Sequence, residues 1–351
     1  MYYSNLKVFN YYDHLKNLIS ESDIIKGPLH VRVKPTNLCN HHCWYCCYRS
    51  DLQLGSNMQE KDQISEKKMM EIVDNFVEMQ VQAVTFSGGG EPFLYKYLLK
   101  TAERLEANKI SFAAYSNGSR LDGQISEYFA HHASWLRISV DAYDDQSYSK
   151  SRGVRLGEFS RLLKNLKNFK KFNGTCTLSV NYVVGHDNAQ FVYETVSKLI
   201  ECDIDYIKIS PCIISDDMIK NNNYHSSITK SVKEQIKKLT NQIETQNIVN
   251  DAYELLNEKF EKTYNWCPYL QLLCVIGADL NVYTCQDKAY SSLGFMGSIA
   301  NKSFKQFWEY DWQKFYRLNP SIDCKHHCVA NEKNIMLHEF FKSQNKHMGF
   351  I

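Results

Sequence analysis

Apolar positions in the first two hundred residues follow two alternating rhythms. Short apolar runs, several with period-two alternation, recur at 29–34 (LHVRVK), 83–87 (AVTFS), 110–116 (ISFAAYS), 135–140 (WLRISV), 178–184 (LSVNYVV) and 206–210 (YIKIS). Between them, stretches such as SEKKMMEIVDNFVEM and YLLKTAERLEANK space their apolar residues by three and four. The first rhythm predicts strands and the second amphipathic helices. Strand–helix alternation implies a parallel sheet covered by helices. Six units make an α/β fold of the partial (β/α)6 barrel kind, open where an eight-unit barrel would close.

After Ser210 the rhythm changes. SSITKSVKEQIKKLTNQIETQ and NDAYELLNEKFEKTY read as helices. LLCVIGADLNVYTC reads as a β-hairpin, and SFKQFWEY as a helix capped by Ser303. The expected organisation is a helical N-terminal extension (1–28), the partial barrel (29–214), a helical connection (215–265), a small hairpin/helix domain (266–330) and a C-terminal helix or tail (331–351).

Composition adds little to class but something to location. Of 351 residues, 44% are hydrophobic, 23% are charged and the formal net charge is +2, so no nucleic-acid-binding stripe is expected. The opening MYYSNLKVFNYYDHLKNLIS lacks the apolar stretch of a secretory signal. No apolar run has the length to span a bilayer, so a cytoplasmic protein without a membrane partner is expected. In that compartment clustered thiols are metal ligands more often than disulfides.

TNLCNHHCWYCCYRS holds four of the chain's 12 cysteines within nine residues, directly after the first predicted strand. That position is where parallel α/β folds carry their functional loops. Three of the four follow the spacing Cys39-x3-Cys43-x2-Cys46; Cys47 lies outside it. His41 or His42 could complete a zinc site by count, although both read as polar loop residues. The spacing, with an aromatic at Tyr45, resembles the signature of the radical S-adenosylmethionine superfamily. The resemblance implies a [4Fe–4S] cluster on Cys39, Cys43 and Cys46, with S-adenosylmethionine chelating the fourth iron. It also implies a flavodoxin- or ferredoxin-type reductant.

Further motifs stand at the later strand ends. Gly88-Gly89-Gly90-Glu91 resembles the family's GGE motif, which implies that Gly89, Gly90 and Glu91 receive the methionine ammonium. Asn117, Ser139, Arg152 and Asn181 occupy positions that in the family contact ribose, carboxylate and adenine; Arg152 could clamp the methionine carboxylate. Cys212 follows the sixth strand, where a thiol could return a hydrogen atom to a substrate radical. Plain packing competes for that thiol, as for Cys176 and Cys202.

The second cysteine region contains Cys267, Cys274, Cys285, Cys324 and Cys328. A hairpin, a helix and four or more thiols suggest a metal-stapled unit. The region resembles the twitch/SPASM extension, which implies an auxiliary [4Fe–4S] cluster on Cys267, Cys285, Cys324 and Cys328, with Cys274 as a possible substitute or a packed apolar residue of the hairpin. Leu280 stands where the family's turn has glycine. Together these features lead to an expected radical oxidoreductase that dehydrogenates a small polar substrate, such as a sugar or aminocyclitol alcohol. A peptide maturase or epimerase, and a zinc-stapled binding module without catalysis, are the alternatives.

Overall fold

The computed structural model describes residues 4–18, 25–49, 57–215, 217–242, 247–257 and 261–343. Among the described residues, ten strands hydrogen-bond into one open sheet. They are β1 (His30–Val33), β2 (Ala83–Phe86), β3 (Ser111–Ser116), β4 (Trp135–Val140), β5 (Thr177–Val184), β6 (Tyr206–Pro211), β7 (Val249–Asp251), β8 (Leu273–Ile276), β9 (Asn281–Tyr283) and β10 (Phe295–Ser298). β1 to β7 run parallel in chain order. The sheet order is β10-β9-β8-β1-β2-β3-β4-β5-β6-β7, so its ends stay apart and the barrel is partial. All six strands predicted from the apolar runs are present.

Each barrel strand sends alternate side chains to opposite faces. Val31, Val33, Phe86, Leu136, Ile138, Val140, Leu178 and Val180 are buried in one hydrophobic cluster. Met69, Ile72 and Phe76 of the Glu66–Glu78 helix belong to that cluster, as do Leu162 and Leu166 of the Glu158–Lys170 helix. The opposite face carries Arg32, Tyr115, Arg137, Ser139, Asn181 and Lys208, none fully buried. The barrel therefore keeps its apolar packing under the helices and a polar lumen.

The hairpin expected at 272–285 forms as β8 and β9. β8 lies parallel to β1, Val31 opposite Cys274, so the hairpin continues the barrel sheet. The turn between β8 and β9 places Leu280 at φ 61°, the left-handed region that a glycine would occupy without cost. Ser303 caps the Phe304–Glu309 helix through a capping box with Gln306.

The helix predicted over 250–264 does not form. Val249–Asp251 joins the sheet edge as β7, and Tyr253–Asn257 is a 3-10 turn; residues 258–260 lie outside the described set. Pairing of this stretch with Ile207, Lys208 and Ile209 of β6 overrode a local pattern that favoured helix. Among the described residues, no helix is long and apolar enough to cross a membrane.

Candidate active site

The loop after β1 is held from below and from the side. Its floor is the glycine turn after β2: Gly90 N–H donates to Thr36 O (3.2 Å) and Glu91 N–H to Leu38 O (2.8 Å). A Cβ on Gly90 would stand 2.0 Å from Leu38 O, and one on Gly89 2.2 Å from Asn37 Oδ1. Glycine is required here because two stretches of backbone touch. From the side, His42 N–H donates to Arg152 O (2.8 Å) and Trp44 N–H to Ser151 O (3.2 Å).

This geometry brings Cys39, Cys43 and Cys46 into mutual electrostatic reach. Burial, reinforced by Asp141 and the neighbouring thiols against the pull of Arg152, pushes the Cys43 thiol up to about 12. A metal centre bound by these thiols would displace protons from the loop. Among the described residues, no three His, Cys, Asp or Glu close on one point as they would around a single ion.

Glu91 is buried, 2% exposed. Its carboxylate accepts from Ser116 Oγ (2.8 Å), Phe93 N–H (3.1 Å) and Asn117 N–H (2.7 Å). Burial raises its pKa above the usual carboxylate value, and these three donors hold it back. Asn117 continues the network, donating to Asn40 Oδ1 (3.0 Å) in the cysteine loop. Glu91 thus ties the end of β3 to the glycine turn beneath the cysteines.

Arg152 is held in place by groups of its own chain. It is 1% exposed, and its guanidinium donates to Asp141 (2.5 Å), Ser139 O (2.9 Å) and Tyr45 Oη (3.1 Å). Buried charge demands such partners, and Asp141 supplies the countercharge. His41 is unlike a solvating loop residue. It is 2% exposed, with Nδ1 3.4 Å from Arg152, and burial followed by the Arg152 charge lowers its pKa to about 3. Asn181 accepts from Ser210 Oγ (3.0 Å) and stands opposite Ser139 in the sheet.

A cleft of about 340 Å³ opens at the C-terminal ends of β4 to β6. Trp44, Tyr45, Asp141, Gly185, Asn188 and Cys212 line it. Cys212 is 2% exposed, with its N–H donating to Val184 O (2.8 Å). Trp44 and Asn188 were not singled out from sequence. Both stand beside motifs, in WYC and VVGHDN, and that position was the available signal.

In the second cysteine region, Cys324 and Cys328 interact electrostatically with each other and with both Cys267 and Cys285. Asn334 Nδ2 donates to Cys267 Sγ at 3.1 Å. Cys274 is absent from this group: it is fully buried in β8, in the main core cluster.

A cysteine triad on the first loop of an open parallel barrel, seated on a Gly-Gly-Glu turn, defines a class. Residues 33–199 match the family model described as Radical SAM superfamily. The S-adenosylmethionine-dependent nucleotide dehydratase of Psychrobacter lutiphocae is 24% identical over 187 residues, 50% of this chain and 60% of that protein. The probable GTP 3',8-cyclase of Sulfolobus acidocaldarius is 24% identical over 51% of this chain and 54% of that protein. The chain thus matches little more than half the length of these two relatives. Streptococcus suis SuiB bound to its precursor peptide SuiA superposes with a TM-score of 0.63 at 17% identity, over 88% of this chain and 70% of that one. That likeness concerns the fold.

Proposed function

We propose that the protein is a radical S-adenosylmethionine enzyme that oxidises a small polar substrate. The observation that carries the reading is the cysteine loop itself, three thiols within electrostatic reach above a Gly-Gly-Glu turn in the stretch that matches the Radical SAM family model. Cys39, Cys43 and Cys46 would hold a [4Fe–4S] cluster. The Cys39-x3-Cys43-x2-Cys46 spacing, by its resemblance to the family signature, favours the cluster over zinc. One zinc ion draws its thiolates to a single centre with Zn–S near 2.3 Å, whereas a four-iron cluster takes each thiolate on a different iron.

When bound, the cluster and S-adenosylmethionine supply an electron and a 5′-deoxyadenosyl radical that takes a hydrogen atom from substrate. The chain's own residues position and exclude. Glu91, Ser116 and Asn117 lock the strand ends under the loop; Asp141 and Arg152 lock its flank. Tyr45, Ser139 and Asn181 offer hydroxyl and amide groups along the same rim. A flavodoxin- or ferredoxin-type protein is the natural electron donor.

Cys267, Cys285, Cys324 and Cys328 would carry an auxiliary cluster able to accept the second electron of an alcohol oxidation. A small substrate is favoured by the nucleotide-directed names of the two curated relatives. Cys212 favours a second reading. Its thiol lines the same cleft as Tyr45, where it could return a hydrogen atom in an epimerisation.

The test uses anaerobically reconstituted protein with dithionite and S-adenosylmethionine. Replacing Cys39, Cys43 and Cys46 together by Ala is expected to abolish 5′-deoxyadenosine formation while about four irons remain bound. Undiminished 5′-deoxyadenosine in the triple variant, or a colourless wild-type protein loaded with zinc, would overturn the proposal.

A further inference from the structure

A second cavity lies at the opposite end of the barrel. It encloses about 550 Å³, the size of a small-molecule site. Inward-facing residues of the N-terminal halves of β1 to β6 line it. The 3-10 helix Asn5–Tyr11 contributes Lys7 and Tyr11, and the C-terminal helix Asn331–Ser343 contributes Lys333. The cavity thus has a floor built from both ends of the described chain.

Its charge is one-sided. Lys7, Arg32, Arg137 and Lys333 line it, and no carboxylate does among the described residues. Arg32 has acidic company outside the cavity, since Asp287 feels its charge. Arg137 is the telling residue. Its Nε donates to Ser179 Oγ at 3.3 Å, and its guanidinium lies over Trp135 (5.6 Å), Tyr115 (5.8 Å) and Tyr206 (6.0 Å). All of these partners are neutral. An arginine cannot shed its proton, and a partly buried cation without a countercharge is costly. Stacking on aromatic rings lowers that cost without cancelling the charge.

Arg137 also has a defined distance to the chemistry. Ser139, on the same face of β4, is two residues further on, about 6.6 Å toward the rim. A ligand whose anionic group sits at Arg137 would extend from there into the layer of Ser139 and Asn181.

We propose that this lumen is the subsite for a nucleotide substrate, its phosphates held by Arg137 and Arg32 and its rings by the walls of Tyr115, Trp135 and Tyr206. The assignment rests on the radical-enzyme reading above and adds the substrate class. The guanidinium fork suits phosphate oxygens bidentately. The flat aromatic walls suit a base.

Binding is measured by titration calorimetry on reconstituted protein at 0.15 M salt, with ATP, GTP, CTP and UTP as probes. Tripolyphosphate and the matching nucleosides serve as comparison. At least one nucleoside triphosphate is expected to bind at least tenfold more tightly than tripolyphosphate or its own nucleoside. Arg137→Gln is expected to weaken it by about tenfold or more, in line with the loss of a charge-assisted hydrogen bond. Lys237→Gln, on an exposed helix face, is expected to bind as the parent does. Arg137→Lys keeps the charge without the fork and is expected to fall between; it replaces the Gln variant if that one melts early.

Absence of triphosphate binding at millimolar concentration overturns the assignment. So does equal affinity in the parent and both Arg137 variants, or tripolyphosphate binding as tightly as any nucleotide. The two readings fail separately. Nucleotide binding without any 5′-deoxyadenosine removes the enzyme reading, whereas 5′-deoxyadenosine formation with no nucleotide binding removes only this subsite.

Discussion

Glu91 is where sequence motif and folded geometry meet most directly. Its carboxylate accepts three hydrogen bonds from Phe93, Ser116 and Asn117 while almost wholly buried. Glu91→Gln keeps the shape but turns an amide NH2 toward one of those donors. Hydrogen bonds to a charged acceptor contribute about 1.5–3 kcal/mol, so denaturant unfolding of the metal-free protein is expected to show a loss of that order. An unchanged midpoint would mean that the carboxylate does not hold the strand ends. Histidine gives the pH dependence. Burial, then Arg32, lowers the pKa of His30 to about 3 from 6.5, and burial lowers that of His225. Between about pH 3 and 6.5 the unfolded chain binds more protons than the folded one. Their contribution is complete above pH 6.5 and is lost as pH falls through that window. The urea midpoint is expected to be lower at pH 5 than at pH 7.5, with a shallower decline in His30→Gln. A parallel decline in the variant would remove His30 from the account.

At the scale of elements, β8 bears on Cys274, which the sequence left between substitute ligand and packed hairpin residue. Cys274 and Cys285 belong to one hairpin, yet Cys274 packs opposite Val31 while Cys285 joins Cys324 and Cys328. Cys274→Ala is expected to cost about 1 kcal/mol, as for removing one methyl-sized group from a packed core, with the iron content unchanged. Cys285→Ala is expected to lower iron by about four per chain. Equal iron in both variants would dissolve the four-thiol group. The same contrast shows what was legible. β1 to β6 were readable because each keeps its apolar residues in one short run bounded by polar turns. Cys274 was not, because its role depends on a partner strand far away in sequence. β7 was hidden for a related reason: only three residues long, it lies beside YELLN, whose apolar spacing suggests helix. Arg137 was not singled out, since alternation cannot tell a barrel lumen from solvent.

For the whole molecule, the arrangement of two thiol groups on one sheet bears on the reaction. If the auxiliary thiols accept an electron from substrate, Cys324→Ala with Cys328→Ala is expected to uncouple turnover. Formation of 5′-deoxyadenosine would continue, and oxidised product would drop by at least tenfold. Equal loss of both would point to a structural role for the second group. Lys34 connects the two regions. It is fully buried, and its Nζ donates to Gly88 O (2.6 Å) and Tyr48 Oη (3.1 Å). Its pKa falls to about 7 through burial, offset by Cys47, Cys46 and Asp287.

The parallel pairing of β8 with β1 has a consequence for biosynthesis. Cys274 follows its partner Val31 out of the ribosome about 240 residues later. At roughly 5–20 residues per second that interval is on the order of 10–50 s. Through it, β1 presents an unpaired edge on one side, in a loop-bearing strand whose backbone groups invite other chains. The nascent barrel therefore passes through a window of vulnerability that closes only when the hairpin arrives. Slower translation would lengthen that window, and chaperones would have most to protect within it.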